Sequence, residues 1–170
     1  MSFQTNKSRP LIISVIGGSE PSARAVDLAY SVGQILAQKG VVVVCGGLSG
    51  VMDAVCRGAK SSGGTTIGIL PGNDAKMSNE FIDYPIMTGM GNARNIIVVK
   101  TGSAVIAIDG SYGTLSEIGH ALADGIPVIG LETWELPQSA DLPTNIEHVF
   151  SSAEAVDKAI EAAWVRENTR

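Results

Sequence analysis

Two charged side chains beside glycine-rich segments are the residues of this sequence best suited to chemistry. Glu117 follows the segment 110–114 (GSYGT), and Arg94 follows a Gly-Met-Gly tripeptide at 89–91. A carboxylate in such a place can hydrogen-bond a sugar hydroxyl or stabilise positive charge that develops at an anomeric carbon. A guanidinium can bind a phosphate or hold the carboxylate in position. The two residues therefore predict a site for a phosphorylated ligand, and both would be catalytic only if that ligand is hydrolysed.

Each of these residues also has a purely structural interpretation. Thr114 and Glu117 form a T-x-x-E pattern before an apolar helix, which is typical of a capping box. In that motif the Thr hydroxyl accepts the N–H of Glu117, and the carboxylate accepts the N–H of Thr114. Arg94 could be a solvated helix residue or the partner of a nearby acid. The sequence leaves these alternatives open.

Three further side chains lie close to the same segments. Asp109, at the end of a predicted strand, could accept a ligand hydroxyl or cap its turn. Cys45 also ends a predicted strand and is expected in the core, because buried free cysteines are common and no basic neighbour lowers its pKa. His120, one turn beyond Glu117, is expected to be structural.

Four glycine-containing turns follow predicted strands, at 17–19, 46–50, 71–72 and 110–114. In a parallel sheet they lie at one edge, where ligands bind at the point of reversed strand order. Glycine allows close backbone approach, and a helix N-terminus offers free N–H groups to an anion, although tight turns need glycine for structural reasons as well. Neither GxGxxG nor GxxxxGK[ST] occurs. The candidate ligand-binding residues are Gly17, Gly18, Ser19, Gly46, Gly47, Ser49, Gly50, Arg94, Asp109, Gly110, Ser111, Gly113 and Thr114.

The elements that must position these residues alternate along the chain. Apolar runs predict strands at 11–16, 41–44, 65–70, 85–88, 104–108, 127–131 and 148–150. Helical spacing predicts helices over 23–37, 51–59, 92–100, 114–123 and 153–164, with loops at 73–79 and 132–147. Strands that are apolar throughout and alternate with helices indicate a mostly parallel sheet covered by helices on both faces. We therefore predict a single doubly wound, Rossmann-like α/β domain over 10–170, preceded by a flexible segment at 1–9.

Composition excludes several classes of function. The 170 residues carry a net charge of −5 and no basic run, which argues against a nucleic-acid partner. No apolar run approaches the ~20 residues of a membrane span, and residues 1–10 lack the apolar core of a signal peptide. We expect no membrane partner and a cytoplasmic location. The two cysteines and two histidines lack the spacing of metal ligands or of a disulfide framework, so no metal site is expected.

Three stretches together resemble the superfamily of LOG proteins, also called lysine-decarboxylase-like proteins. They are 46–72, GMGNARN at 89–95 and DGSYGTLSEIGHAL at 109–122. The hallmark of that superfamily is a PGGxGTxxE loop with an upstream Arg. The resemblance places Gly110, Gly113 and Thr114 on phosphate-binding positions. It places Glu117 on the catalytic acid and Arg94 on the upstream Arg.

The resemblance implies two functions. LOG enzymes are nucleoside 5′-monophosphate phosphoribohydrolases, which cleave an N-glycosidic bond. The segments ILPG at 69–72 and TGMGNARN at 88–95 are most similar to the branch of molybdenum cofactor carrier proteins. These proteins bind the molybdenum cofactor, a phosphorylated pterin, and protect it as cargo without converting it. Here Asp109-Gly110-Ser111 replaces Pro-Gly-Gly, and Asn95 replaces the Lys that usually follows the Arg.

These departures favour the non-catalytic carrier over the hydrolase, because they add a carboxylate and remove a cation. No catalytic metal is expected in either case. Both branches form homo-oligomers, which implies a dimer or a tetramer here. A third hypothesis is a ligand-sensing domain that passes nucleotide occupancy to a partner protein.

Overall fold

Seven parallel strands form one sheet in the computed structural model, which describes residues 9–137 and 145–169. The strands are β1 Ile12–Gly17, β2 Val42–Cys45, β3 Thr66–Leu70, β4 Tyr84–Met87, β5 Ala104–Ile108, β6 Val128–Leu131 and β7 Ile146–Val149. The helices are α1 Ala23–Gln38, α2 Val51–Ser61, α3 Asn95–Thr101, α4 Tyr112–Ala123 and α5 Ser152–Asn168. Short 3₁₀ turns occur at Ala75–Met77 and Gly91–Arg94. The flexible segment predicted at 1–9 lies outside the described residues, apart from Arg9.

The strand order is β4-β3-β2-β1-β5-β6-β7. Strands β2, β3 and β4 therefore lie in succession on one side of β1, and β5, β6 and β7 lie in succession on the other side. Every pairing is parallel, and Gly17 at the end of β1 pairs with Ile108 at the end of β5. The strand order therefore reverses between β1 and β5. In open α/β sheets this is the position at which a ligand crevice forms.

Alternate residues of the strands pack into two cores on opposite faces of the sheet. On one face Val15 packs with apolar residues of α1, α2 and α5. On the other face the next residue, Ile16, packs with apolar residues of α3 and α4. Strands buried on both faces need no polar alternation, which explains the uninterrupted apolar runs of the sequence. The predicted doubly wound α/β fold is confirmed.

Several predicted boundaries were wrong by a few residues. The last strand is Ile146–Val149 rather than 148–150, because its ends are buried while Glu147 and His148 face solvent and Phe150 is exposed. The helix predicted over 92–100 divides into a 3₁₀ turn and α3, and the loop at 73–79 contains the other 3₁₀ turn. Part of the loop predicted at 132–147 lies outside the described residues.

No helix within the described ranges combines the length and the apolar character that crossing a bilayer requires.

Candidate functional site

A cleft of about 170 Å³ opens at the carboxyl end of the sheet, where β1, β2 and β5 end. The loops after these strands form its walls, together with the first turns of α2 and α4 and the segment before α3. The start of α2 is connected to the β1 loop, because the N–H of Val51 donates a hydrogen bond to the carbonyl of Gly18 at 3.0 Å. The cleft is lined by Ile16, Gly17, Ser19, Gly46, Leu48, Met52, Asn92, Arg94, Asn95, Ser111, Gly113, Thr114 and Glu117.

Arg94 ends a 3₁₀ turn and is buried, with only 7% of its surface exposed. Its Nη2 donates to the carbonyl of Gly46 at 3.3 Å, and its Nη1 donates to Asn95 Oδ1. Gly46 must be glycine for this contact, because a Cβ there would lie 2.5 Å from Arg94 Nη2. The interpretation of Arg94 as a solvated helix residue is therefore wrong, and its guanidinium forms the floor of the cleft.

Glu117 is the acid that faces Arg94. Its Oε1 lies 3.6 Å from Arg94 Nη1, and only 6% of the residue is exposed. Burial raises the pKa of Glu117 to about 7, since loss of solvation outweighs the attraction of the Arg94 charge. Both protonation states of the carboxyl group are thus populated near neutral pH.

The capping-box prediction for Thr114 and Glu117 was wrong. Helix α4 begins at Tyr112, and Ser111 in an extended conformation is its N-cap, without a side-chain capping bond. The T-x-x-E pattern therefore falls inside the helix rather than at its start. Glu117 is then free to turn toward Arg94, and the hydroxyl of Thr114 points to no acceptor.

Two buried side-chain nitrogen or oxygen atoms of the described residues have no hydrogen-bond partner, and both belong to residues that line the cleft. They are Arg94 Nε and Thr114 Oγ1. The N–H groups of residues 112–114 lie in the first turn of α4, ahead of Leu115, whose N–H bonds back to Ser111. Buried polar groups are nearly always satisfied in folded proteins. The orphaned atoms and the helix N-terminus are suited to an anionic, hydrogen-bonding ligand.

A second cavity of about 420 Å³ adjoins the first and shares Ser19 and Ser111 with it. It is also lined by Gly18, Glu20, Asp109 and Gly110. The carboxylate of Asp109 is already engaged there. It accepts hydrogen bonds from the N–H of Ser22 at 3.2 Å and from the N–H of Gly110 at 2.8 Å. Asp109 thus caps its own turn, which is the structural alternative that the sequence left open.

The predicted candidate residues divide between these places. Those that line the first cavity are Gly17, Ser19, Gly46, Arg94, Ser111, Gly113, Thr114 and Glu117, while Gly18, Asp109 and Gly110 line the second. Neither cavity is lined by Gly47, Ser49 or Gly50, which belong to the loop between β2 and α2. Gly50, at φ 72°, is the N-cap of α2.

Sequence reasoning missed several lining residues. They are Ile16, Leu48, Met52, Asn92 and Asn95 of the first cavity and Glu20 of the second. Asn92 and Asn95 flank Arg94 in the chain, and that adjacency was an available signal. Asn95 Nδ2 also reaches the carbonyl of Gly113 at 3.5 Å, so it joins the segment before α3 to the first turn of α4.

Cys45 lies in the core as predicted, but the expectation that no basic residue influences it was wrong. Its pKa is lowered by hydrogen bonds from the Cys56 thiol and from the N–H of Gly47 and by the charge of Arg94, which together outweigh burial. Arg94 is far away in sequence and approaches only in the folded chain. His120 is exposed on α4 and lines neither cavity.

Within residues 9–137 and 145–169, no three His, Cys, Asp or Glu side chains gather as metal ligands would.

Comparison with known proteins gives a consistent result. The model of the SLOG cluster4 family matches residues 10–163. The molybdenum cofactor binding protein of the phototrophic bacterium Rippkaea orientalis is 36% identical, with a TM-score of 0.82 over 91% of this chain and 97% of that one. The molybdenum cofactor carrier protein of Chlamydomonas reinhardtii is 31% identical, with a TM-score of 0.80 over 91% and 98% of the two chains.

An enzyme is related more distantly. The cytokinin riboside 5′-monophosphate phosphoribohydrolase of Mycobacterium tuberculosis is 29% identical over 132 residues, which are 72% of this chain and 71% of the relative. The match to the family model extends over nearly the whole described sheet and both cavities. This chain belongs to the SLOG cluster4 family, within the LOG superfamily and on its molybdenum cofactor carrier branch.

Proposed function

We propose that this protein binds the molybdenum cofactor, a phosphorylated pterin, and protects it as a carrier without converting it. The observation that carries the proposal is the pair of orphaned polar atoms, Arg94 Nε and Thr114 Oγ1, in one cleft at the switch point of the sheet. The likeness to proteins described as binding or carrying this cofactor supports the choice of ligand.

The terminal phosphate of the ligand is the group that fits the first turn of α4. The N–H groups of residues 112–114 and the hydroxyl of Thr114 would donate hydrogen bonds to it, and Arg94 would supply positive charge from below. Glycine at 110 allows this close packing, because a Cβ there would lie 2.6 Å from the Cβ of Thr114. The remainder of the ligand would extend past Ser19 and Ser111 toward the second cavity.

The β5–α4 loop supports binding rather than hydrolysis. The superfamily hallmark begins with Pro, whose ring holds φ near −65°. Asp109 occupies the equivalent position at φ 52°, a conformation closed to proline. The loop that would hold a substrate phosphate in the enzymes therefore takes another backbone course in this chain.

Cofactor protection tests this proposal directly. Purified protein should slow the oxidative loss of free molybdenum cofactor, and Thr114→Val should weaken the protection because it removes the donor hydroxyl while preserving the shape of the side chain. Ser116→Ala is the matched control, since Ser116 is exposed on the same helix and lines neither cavity. Loss of the cofactor at the same rate with and without wild-type protein would refute the carrier function.

The second candidate is a nucleoside 5′-monophosphate phosphoribohydrolase, and the Arg94–Glu117 pair favours it. A carboxyl group with a pKa of about 7 can give or take a proton near neutral pH, as a general acid must. Base release from a panel of nucleoside monophosphates, followed by chromatography, tests it. Release by the wild type and not by Glu117→Gln would establish the enzyme, and retention of all bases despite measurable binding would leave the carrier.

We also propose that the chain forms a homo-oligomer. The edge strand β4 supports this, because it leaves Tyr84, Ile86 and Met87 substantially exposed to solvent. Analytical ultracentrifugation gives the mass of the species in solution. A monomer at high protein concentration would refute the proposal.

A further inference from the structure

The two cysteines of the chain lie in contact beneath the candidate cleft. Cys45 ends β2, and Cys56 lies on α2, which packs over that strand. Their sulfur atoms are 3.5 Å apart, and both residues are completely buried. The chain contains no other cysteine. Each thiol therefore has a single possible intramolecular partner.

Cys45 is also connected to the wall of the cleft. Its Sγ accepts a hydrogen bond from the N–H of Gly47 at 3.3 Å and lies 3.9 Å from the carbonyl oxygen of Met52. Met52 lines the cleft, and so does Gly46, whose carbonyl holds Arg94. A movement of the Cys45 sulfur would therefore displace the loop 46–50, which also positions the guanidinium of Arg94.

We propose that Cys45 and Cys56 form a reversible intramolecular disulfide on reaction with a hydroperoxide, and that this bond rearranges the loop 46–50. The present separation requires the sulfurs to approach by about 1.5 Å to reach the bond length of a disulfide. Their burial restricts the oxidant to a small molecule such as hydrogen peroxide.

The reaction proceeds in two balanced steps. The Cys45 thiol loses its proton, the thiolate attacks one peroxide oxygen, and the O–O bond breaks. A sulfenic acid and hydroxide form, and the hydroxide takes up the proton from Cys45 to give the first molecule of water. The Cys56 sulfur then attacks the Cys45 sulfur, the S–S bond forms and the S–O bond breaks. The departing hydroxide takes the proton of Cys56 and leaves as water. In sum, two thiols are oxidised, and one peroxide molecule is reduced to two molecules of water.

The surroundings of the two thiols shift their pKa values in opposite directions, and this difference decides which thiol reacts first. The pKa of Cys45 is below its ordinary value because of hydrogen bonds from Cys56 and Gly47 and the Arg94 charge. The pKa of Cys56 is raised by its hydrogen bond to Cys45 and by burial. Cys45 is accordingly the thiol that attacks the peroxide, and Cys56 is the resolving thiol that attacks the sulfenic acid.

The test uses the full chain, reduced and then treated with hydrogen peroxide. We expect the thiols titrated after denaturation to fall from two per chain to none, and the mass of the chain to fall by two hydrogen atoms. A non-reducing peptide map should join the peptides that contain Cys45 and Cys56. Dithiothreitol should restore both thiols. Hydrogen exchange should show faster exchange in residues 46–50 of the oxidised protein, since Gly47 loses the acceptor of its N–H.

Single-cysteine variants separate this reaction from random oxidation. Cys56→Ala should gain oxygen atoms at Cys45 under the same treatment, because the resolving thiol is missing. If this variant does not fold, the peptide map of the wild type decides alone. Retention of both thiols, gain of oxygen by the wild type, or a disulfide between two chains would overturn the proposed bond. A disulfide with unchanged exchange in residues 46–50 would overturn its effect on the loop.

Discussion

Arg94 Nη1 and Glu117 Oε1 lie 3.6 Å apart at the floor of a cleft, and both residues are buried. This separation is longer than that of a hydrogen bond, so the attraction between the two groups is mainly Coulombic. The guanidinium takes its close contacts from the Gly46 carbonyl and from Asn95. The carboxyl group thus remains available to a proton or to a ligand, while Arg94 is held in place by its neighbours.

Glu117 should make the stability of the protein fall as the pH rises toward neutrality. Its ordinary pKa of 4.5 is raised to about 7 in the folded chain, so the folded state holds the proton more tightly than the unfolded state. The resulting stabilisation is fully present below pH 4.5 and is lost as the pH rises through 7. Its full size is about 3 kcal/mol. Urea denaturation of wild type and Glu117→Gln from pH 5 to pH 8 measures it, and a constant difference between the two proteins would contradict it.

Replacement of Arg94 should destabilise the protein strongly. Arg94→Met leaves the carboxyl group of Glu117 buried without its cation, and breaking such a pair costs about 3–5 kcal/mol. Arg24→Met is the matched control, because Arg24 pairs with Glu132 at the surface, where an ion pair contributes about 0–1 kcal/mol. Free energies of unfolding at pH 8 compare the two variants. Equal losses would indicate that burial adds nothing to the Arg94 pair.

Thr114→Val should stabilise the ligand-free protein while it weakens ligand binding. The hydroxyl of Thr114 is buried and has no acceptor, and an unsatisfied buried polar group costs about 1–3 kcal/mol. Thermal unfolding without ligand, together with retention of molybdenum cofactor on a desalting column, tests the two halves. Lower stability without ligand would mean that the hydroxyl has a structural role, as in a cap.

Asp109→Pro should disrupt the site, whereas Asp109→Asn should be tolerated. Proline is excluded by φ 52° and would also remove the N–H that donates to the carbonyl of Leu131. We expect a loss of about 3 kcal/mol or more. Asn adopts positive φ readily and can still accept a hydrogen bond from the N–H of Ser22. Chemical denaturation distinguishes these outcomes, and a stable Asp109→Pro protein would show that the loop can take the proline-containing course.

The strands of the sheet could be predicted because the burial of each central strand determines the residue types within that strand. Each central strand is buried on both faces, so runs such as 104–108 are apolar without interruption, and a glycine follows within two residues of the run. Strand β7 lies at the edge, and its exposed central residues Glu147 and His148 interrupt the apolar pattern, so the strand was predicted with the wrong bounds, 148–150.

The site was predicted less completely, because its contacts join distant parts of the chain. The T-x-x-E pattern of Thr114 and Glu117 predicted a capping box, but α4 begins two residues earlier, at Tyr112, so neither residue caps it. The nearness of Arg94 to Cys45, and of Cys45 to Cys56, depends on how α2 and the turn before α3 pack on the sheet. No spacing in the sequence encodes that packing.

The pairing of Gly17 with Ile108 has a consequence for how the binding site comes into being. The strands that hold the cleft are neighbours in the sheet but 91 positions apart in the chain. A segment that ends before β5 contains the glycine loops after β1 and β2 and yet has no cleft. Ligand binding therefore requires that β5 has paired with β1 and brought α4 to the cleft, and we expect it to appear in a folding experiment only after that pairing has formed.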